Sequence, residues 1–376
     1  MKILIIPDSF KGCLSAKQVA NAIEKGILDI YPNLKVDKFP FSDGGEGAID
    51  ILASKNLGSL ITVKTENALG KKMKAKYLLF HNKKSAWIEL SQASGIMHIN
   101  KNELNILRAS TYGTGVLIKH ALDSGCQEII LGVGGSATND AAAGIFQALG
   151  GSLLDKKGKQ IEKGGADLCR LVSIIDPKIN KSITWKIAYD VINPLIGKNG
   201  ASTIYGPQKG ASKDEIKILE KSLLNFSKVI KEHNGKSISK IQGGGAAGGV
   251  AAGIFGFFNA ELFSGFTILS EIFDLESQIQ SADLIFTGEG KIDSQSLNGK
   301  LIGRLGGLAK ENKIPLICIV GSKEKGLDEK FYENGLTKVF SIQKEHMTVE
   351  QSKSNASQLL SETAGKVLRY YIEKVN

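Results

Sequence analysis

Apolar positions along the chain form short runs and helical stripes that alternate. Residues 2–6 are an apolar run that predicts a strand. Ser15 can cap a following helix, in which Val19, Ala20, Ile23 and Ile27 recur at helical spacing. Residues 34–39 alternate as a second strand, and a helix over about 46–55 follows. This is the opening of a parallel α/β sheet. From about residue 58 the texture changes. Residues 60–63, 73–80 and 86–90 read as successive strands with few helices between them, which suits antiparallel or mixed pairing. Alternation then resumes: helix 111–122, strand 128–133, helix 137–149, strand 152–154, strand 183–189 and a long amphipathic helix over 212–233. The tail repeats the opening, with strand 283–286, helix 300–311, strands 315–320 and 338–342, and a closing helix over 349–373.

The opening segment is too short to complete a sheet by itself. The simplest arrangement is an α/β domain built from both chain ends, 1–65 plus 280–376, with 66–279 inserted as a second α/β domain. A chain of 376 residues fits two such domains. At 42% apolar and 23% charged it has the composition of a folded protein, not of a disordered or fibrous one. The stretch 243–260 carries no charge, but seven of its residues are glycine, so it reads as a buried glycine-rich loop entering a helix and not as a membrane span.

The net charge of +10 is nearly all lysine, with arginine only at Arg108, Arg170, Arg304 and Arg369. Base-reading surfaces lean on arginine, so nucleic acid is not an expected partner, and a mild pull on anionic substrates is. Cys13, Cys126, Cys169 and Cys318 make no C-x-x-C pair, and the histidines show no metal-ligand spacing. The first apolar run ends at Pro7, too early for a signal peptide, and a cytoplasmic location without membrane attachment is expected.

Candidate chemistry lies in loops that follow strands, where parallel sheets collect ligands. Three belong to the end-built domain: Pro7-Asp-Ser-Phe-Lys-Gly12, Ser42-Asp-Gly-Gly-Glu-Gly47 and Thr287-Gly-Glu-Gly-Lys-Ile-Asp-Ser-Gln295. Asp43, Glu46, Glu289 and Asp293 suit either of two tasks, holding Mg²⁺ or accepting a hydroxyl proton. Lys11 supplies a compact positive charge near Ser9. In the inserted domain, Gly132-Val-Gly-Gly-Ser-Ala-Thr-Asn-Asp140 follows a strand and is expected to open a helix, aiming N–H groups at an anion. Gly134, Gly135, Ser136, Thr138 and Asn139 are its candidate contacts. Asp190-Val-Ile-Asn-Pro-Leu195, Gly206-Pro-Gln-Lys-Gly-Ala211 and the 243–249 run add Asp190, Lys209 and Gly248.

An NAD-dependent oxidoreductase is the rival reading. Gly132, Gly134 and Ala137 fit a relaxed dinucleotide pattern, and Asp155 follows the next strand. Against it, Asp140 so near a pyrophosphate would repel it, and the three acidic loops have no task in hydride transfer. A P-loop is absent, because Gly299-Lys300 is followed by leucine. A non-enzymatic anion-binding module would explain the charge but not the acids.

Taken together, in this order, these loops resemble the type I bacterial glycerate kinase family, which phosphorylates D-glycerate with ATP. The resemblance runs from Ile5-Ile-Pro-Asp-Ser-Phe-Lys-Gly12 through the 42–47, 132–140, 190–195, 206–210, 245–249 and 287–295 motifs to the last helix. Departures fall at Phe41-Ser42, at Ala141 and Ala142 where glycines are common, and at Cys13 where serine is common; none removes a charge. The resemblance implies a flavodoxin-like parallel-sheet domain made from both ends, an inserted mixed α/β domain and an active site in the cleft between them. It implies ATP and Mg²⁺ as cofactors and 2-phosphoglycerate as product, with 3-phosphoglycerate as the alternative. Within that frame Lys11, Asp190 and Asp293 are the catalytic candidates and Asp43 and Glu289 the metal candidates. Ser9, Gly134, Gly135, Ser136, Thr138, Asn139, Lys209 and Gly248 would bind substrate or nucleotide. The oligomeric state is left open.

Overall fold

The computed structural model describes residues 1–41, 47–294, 296, 301–324, 326, 328–344 and 347–375. Two strands open the chain, β1 (Lys2–Ile5) and β2 (Lys35–Lys38). Eight follow: β3 (Gly58–Glu66), β4 (Lys72–Phe80), β5 (Ser85–Glu89), β6 (Glu128–Gly132), β7 (Ser152–Leu154), β8 (Ser173–Ile175), β9 (Thr184–Tyr189) and β10 (Glu261–Ser264). Five close it: β11 (Leu284–Thr287), β12 (Lys291–Ile292), β13 (Leu316–Val320), β14 (Ser322–Lys323) and β15 (Lys338–Ser341). The chain divides into two compact units, Met1–Ser42 with Phe266–Asn376, and Asp43–Gly265. These seams differ from the expected ones at 65/66 and 279/280. The reason is local: β3 pairs along its whole length with β4, so it sits in the sheet of the middle unit.

The unit built from both ends carries a five-stranded sheet in the order β15-β13-β11-β1-β2. Every pair in it is parallel. In chain order this is second, first, third, fourth, fifth, the flavodoxin-like winding. Ser15 does cap the first helix, Ala16–Leu28, in a reciprocal box with Gln18. Its buried stripe of Val19, Ala20, Ile23 and Ile27 packs on Ile3, Ile5, Leu284, Phe286, Ile317 and Ile319 together with Leu360 and Leu368 of the last helix. Gly26 lets those two helices touch, since a Cβ there would meet the backbone carbonyl of Ser361. The closing segment is two helices, Val349–Ser354 and Ala356–Val375, broken at Asn355.

The middle unit carries a six-stranded mixed sheet in the order β10-β9-β6-β5-β4-β3. β3, β4 and β5 form an antiparallel meander. From β5 through β6 and β9 to β10 the pairing is parallel. β7 does not join this sheet; it pairs with β8 in a small antiparallel ladder. The helix expected over 137–149 starts only at Ala143 and ends at Ala148. Ala141 and Ala142 stand at φ +47° and +64°, which no helix accommodates. The Asp140 carboxylate takes the Gly144 N–H instead, at 3.2 Å.

Candidate active site

In the end-built unit, parallel pairing brings the loops after β1, β11 and β13 to one edge of the sheet. They are stitched together by backbone. Asp8 N–H donates to Gly288 O at 2.8 Å, Gly321 N–H to Glu289 O at 3.1 Å, and the Thr287 hydroxyl to Ile6 O at 2.7 Å. Gly288 is packed so closely that a Cβ would lie 2.2 Å from Ile319 O, and a Cβ on Gly290 would lie 3.4 Å from the backbone nitrogen of Lys11. The Lys11 and Glu289 loops are therefore in direct contact, with Ser9 alongside. Lys11 is exposed; Ser9, Glu289 and Asp293 are half-buried. Asp293 faces the 293–296 turn, its Oδ1 3.3 Å from Ser296 N, with Lys291 Nζ 3.9 Å from its Oδ2. Burial, with the Glu289 charge behind it, pushes the Cys318 thiol well up. Asp43, the other metal candidate, and Glu46 lie outside the described residues.

In the middle unit the loop after β6 is held from two sides. Ile96 N–H donates to Gly135 O and Ala137 N–H to Ser94 O, both at 2.9 Å. Further on, Ala141 N–H donates to Gly248 O at 3.1 Å. Gly248 has φ +69°, and a Cβ there would sit 2.1 Å from Thr138 O. Its visible role is to admit this close approach of the 246–258 helix to the loop. The backbone N–H groups of Gly134, Gly135 and Ser136 have no acceptor among the described residues. Gly135 is exposed and left-handed, at φ +62°. Successive unspent N–H groups around a left-handed residue form an anion-binding concavity.

The rest of this loop turns inward. Thr138, Asn139 and Asp140 are fully buried. Asn139 donates to Ser202 Oγ at 3.1 Å, and Asp140 Oδ2 accepts from the Thr111 N–H at 2.8 Å and hydroxyl at 2.9 Å. Lys209 is only 2% exposed, with Nζ 2.7 Å from both Ser136 Oγ and Thr138 O. Burial pulls its pKa down to about 7, against the Asp140 charge, which raises it. Asp190 follows β9 and is exposed. Gly245 N–H bonds Asn193 O at 2.9 Å, joining the 190–195 and 243–249 loops.

Sequence reasoning missed Glu89, at the end of β5 and directly opposite Gly132 of β6. Its carboxylate is fully buried and accepts the N–H groups of Ile49 at 2.8 Å and Gly47 at 3.2 Å, capping the Ala48–Ser54 helix. Desolvation lifts its pKa to about 7 in spite of those bonds. A carboxylate inside a strand otherwise composed of buried residues was the available signal.

The oxidoreductase reading fails on geometry. No helix opens at Ala137, and Asp155 Oδ1 accepts the Lys157 N–H at 2.8 Å and the Lys159 N–H at 3.0 Å while Oδ2 accepts from the Arg170 guanidinium at 2.9 Å, so its oxygens are spent on its own turn and on Arg170.

A flavodoxin-like unit with acidic and basic groups at its strand ends, and a second α/β unit whose loop after β6 keeps three N–H groups unspent, form an architecture suited to an enzyme of anionic ligands. The comparisons make the class specific: the chain belongs to the glycerate kinase family, whose sequence model matches residues 3–372, and it is a kinase. It is 40% identical to the glycerate kinase of Halalkalibacterium halodurans over 97% of both chains. It is 41% identical to the glycerate 2-kinase of Escherichia coli, over 91% of this chain and 90% of that one. The crystal structure of a Salmonella typhimurium LT2 protein assigned as a glycerate kinase 2 superposes with a TM-score of 0.85 at 39% identity, over 100% of this chain and 99% of that one. Among the described residues no helix is long and apolar enough to cross a membrane.

Proposed function

We propose that the protein transfers the γ-phosphoryl group of ATP to a hydroxyl of D-glycerate in the cytoplasm, giving 2-phosphoglycerate. The observation that carries the nucleotide half is the run of three unspent N–H groups at Gly134, Gly135 and Ser136. Preorganised backbone donors stabilise phosphate charge without reorganising during the reaction. The regiochemistry rests on likeness to the Escherichia coli glycerate 2-kinase.

Phosphoryl transfer has a loose, anionic transition state, so positioning and charge neutralisation dominate. Lys11, exposed beside the Glu289 loop, supplies positive charge to the reacting anions. Asp293 accepts the substrate hydroxyl proton, with Asp190 next in line. Mg²⁺ is commonly bound by one or two carboxylates while phosphate and water complete its shell. Glu289, half-buried between two glycines, fits that mode, and Asp43 is the second donor of this reading. Among the described residues no three Asp, Glu, His or Cys side chains gather into a closed cage, which that mode does not need. When bound, the ion neutralises charge on the phosphates.

Purified protein is expected to consume ATP only with both D-glycerate and Mg²⁺ present. Coupling the product to enolase, with and without phosphoglycerate mutase, reads the regiochemistry: direct use by enolase means 2-phosphoglycerate. A requirement for the mutase would reassign the product as 3-phosphoglycerate, and ATP turnover indifferent to D-glycerate would sink the substrate.

A further inference from the structure

The Gly206–Gly210 turn offers a lysine that the sequence suggests as a ligand contact, yet its amine points into the protein. Pro207–Lys209 is a single 3-10 turn with proline at its first position, closed by Gly210 at φ +90°. Proline presets the turn, and the left-handed glycine ends it. The Lys209 side chain then runs through the interior to the underside of the loop after β6. There Nζ reaches the Ser136 hydroxyl and the Thr138 carbonyl, both at 2.7 Å.

Those two partners flank Ala137, whose own N–H is held by Ser94 O. Beyond them, Asp140 anchors the end of the loop through Thr111 and Gly144. Ties from Lys209, Ser94 and Asp140, with those to Ile96, Ser202 and Gly248, hold the loop on its protein side, while its Gly134–Ser136 N–H groups stay unspent. A buried amine is costly unless its hydrogen bonds are made. Two short ones to a single loop, from a residue 71 to 73 positions away, pin its Ser136–Thr138 segment through this one side chain.

We infer that Lys209 is a positioning residue for phosphate binding: it touches no ligand, and its amine fixes Ser136 and Thr138 so that the three N–H groups face the nucleotide's phosphates. The inference rests on the cradle reading above. Loss of the amine leaves the Thr138 carbonyl and the Ser136 hydroxyl without their donor and lets the loop relax. The expected effect falls on nucleotide affinity.

The test uses full-length Lys209→Met, Lys209→Ala, Ser136→Ala and Gly135→Val, with KM for ATP and for D-glycerate, kcat and thermal melting for each. Lys209→Met is expected to raise the ATP KM about tenfold or more, the scale of losing two hydrogen bonds of about 1 kcal/mol each. The D-glycerate KM should stay within about twofold, a change too small to signal a lost contact. Ser136→Ala keeps the backbone N–H but loses one tie, so a smaller rise in the ATP KM is expected; it also serves if the lysine variants fold poorly. Added propylamine should lower the ATP KM of Lys209→Ala in a concentration-dependent way, which a purely structural defect would not do. Native ATP KM values in the Lys209 and Ser136 variants, with Gly135→Val raised, would overturn the positioning role alone. An unchanged ATP KM in Gly135→Val, or a change confined to D-glycerate, would overturn the cradle reading and this inference with it.

Discussion

Glu89 shows how one buried acid reports on its surroundings. Desolvation raises its pKa from 4.5 to about 7, and the nearby Asp50 charge adds to this, while the bonds from Ile49, Gly47 and Gln92 oppose it. The folded state therefore keeps a proton that the unfolded chain releases. The sign follows: this stabilisation is complete below about pH 4.5 and is lost as pH rises through about 7. The shift corresponds to up to about 3 kcal/mol. In urea unfolding between pH 5 and 8, the stability advantage of wild type over Glu89→Gln is expected to shrink with rising pH by an amount of that order. Parallel profiles for the two proteins would mean that the carboxyl does not titrate in this range. Part of this residue was legible in advance: an acid at the end of a strand of buried residues needs a partner. The partner was not, because the backbone N–H groups of Gly47 and Ile49 lie about forty residues upstream, and no sequence spacing announces them.

Elements with a strong local signal could be read from the sequence, and those shaped by distant contacts could not. The first helix and the long Lys213–Asn234 helix begin at Ser15 and Ser212, each with a reciprocal capping box that is visible as Ser-x-x-Gln or Ser-x-x-Glu. The 137–149 segment is alanine-rich, so propensity favours a helix throughout, yet its first six residues are not helical. Tertiary contacts prevail there, through the Asp140 carboxylate and the Gly248 backbone. The outcome leaves Ala141 and Ala142 in left-handed conformations that cost an L-residue roughly 1–2 kcal/mol each. Ala142→Gly would relieve that strain while losing a buried methyl worth about 0.8 kcal/mol and adding about 0.5–1 kcal/mol of chain entropy. These nearly cancel, so a change within about 0.5 kcal/mol is expected. Ala143→Gly, one residue on and inside the helix, has no strain to relieve and should lose about 2 kcal/mol. Equal losses at the two positions, read by denaturant titration, would show that the strain at Ala142 is negligible.

At the scale of the whole molecule, the organisation from both chain ends follows from β11 and β2 flanking β1 in one sheet. The sequence pattern implies this, because a lone strand-helix-strand opening cannot close a sheet. The seams were harder to read, since strands β3 and β4 belong together by pairing and not by any composition boundary. Among the described residues, the apolar cluster that contains Ile3 and Ile5 of β1 draws on residues 3–36 and 284–372, and two clusters of the middle unit draw on residues 61–262. A fragment spanning 43–265 keeps both of those clusters and is expected to melt cooperatively by itself. The unspent N–H groups of Gly134, Gly135 and Ser136 all lie within it. If they hold the nucleotide's phosphates, a non-hydrolysable ATP analogue is expected to stabilise the fragment. At about 100 times its dissociation constant, a ligand that binds only the folded state adds about 2.7 kcal/mol. For a fragment of this size that raises the melting temperature by roughly 5–10 °C. Gly135→Val should abolish the shift while leaving a cooperative transition. A fragment that melts cooperatively but ignores the analogue, while the full chain responds to it, would remove the phosphate site from this loop and send the search to the strand-end loops around Lys11 and Glu289.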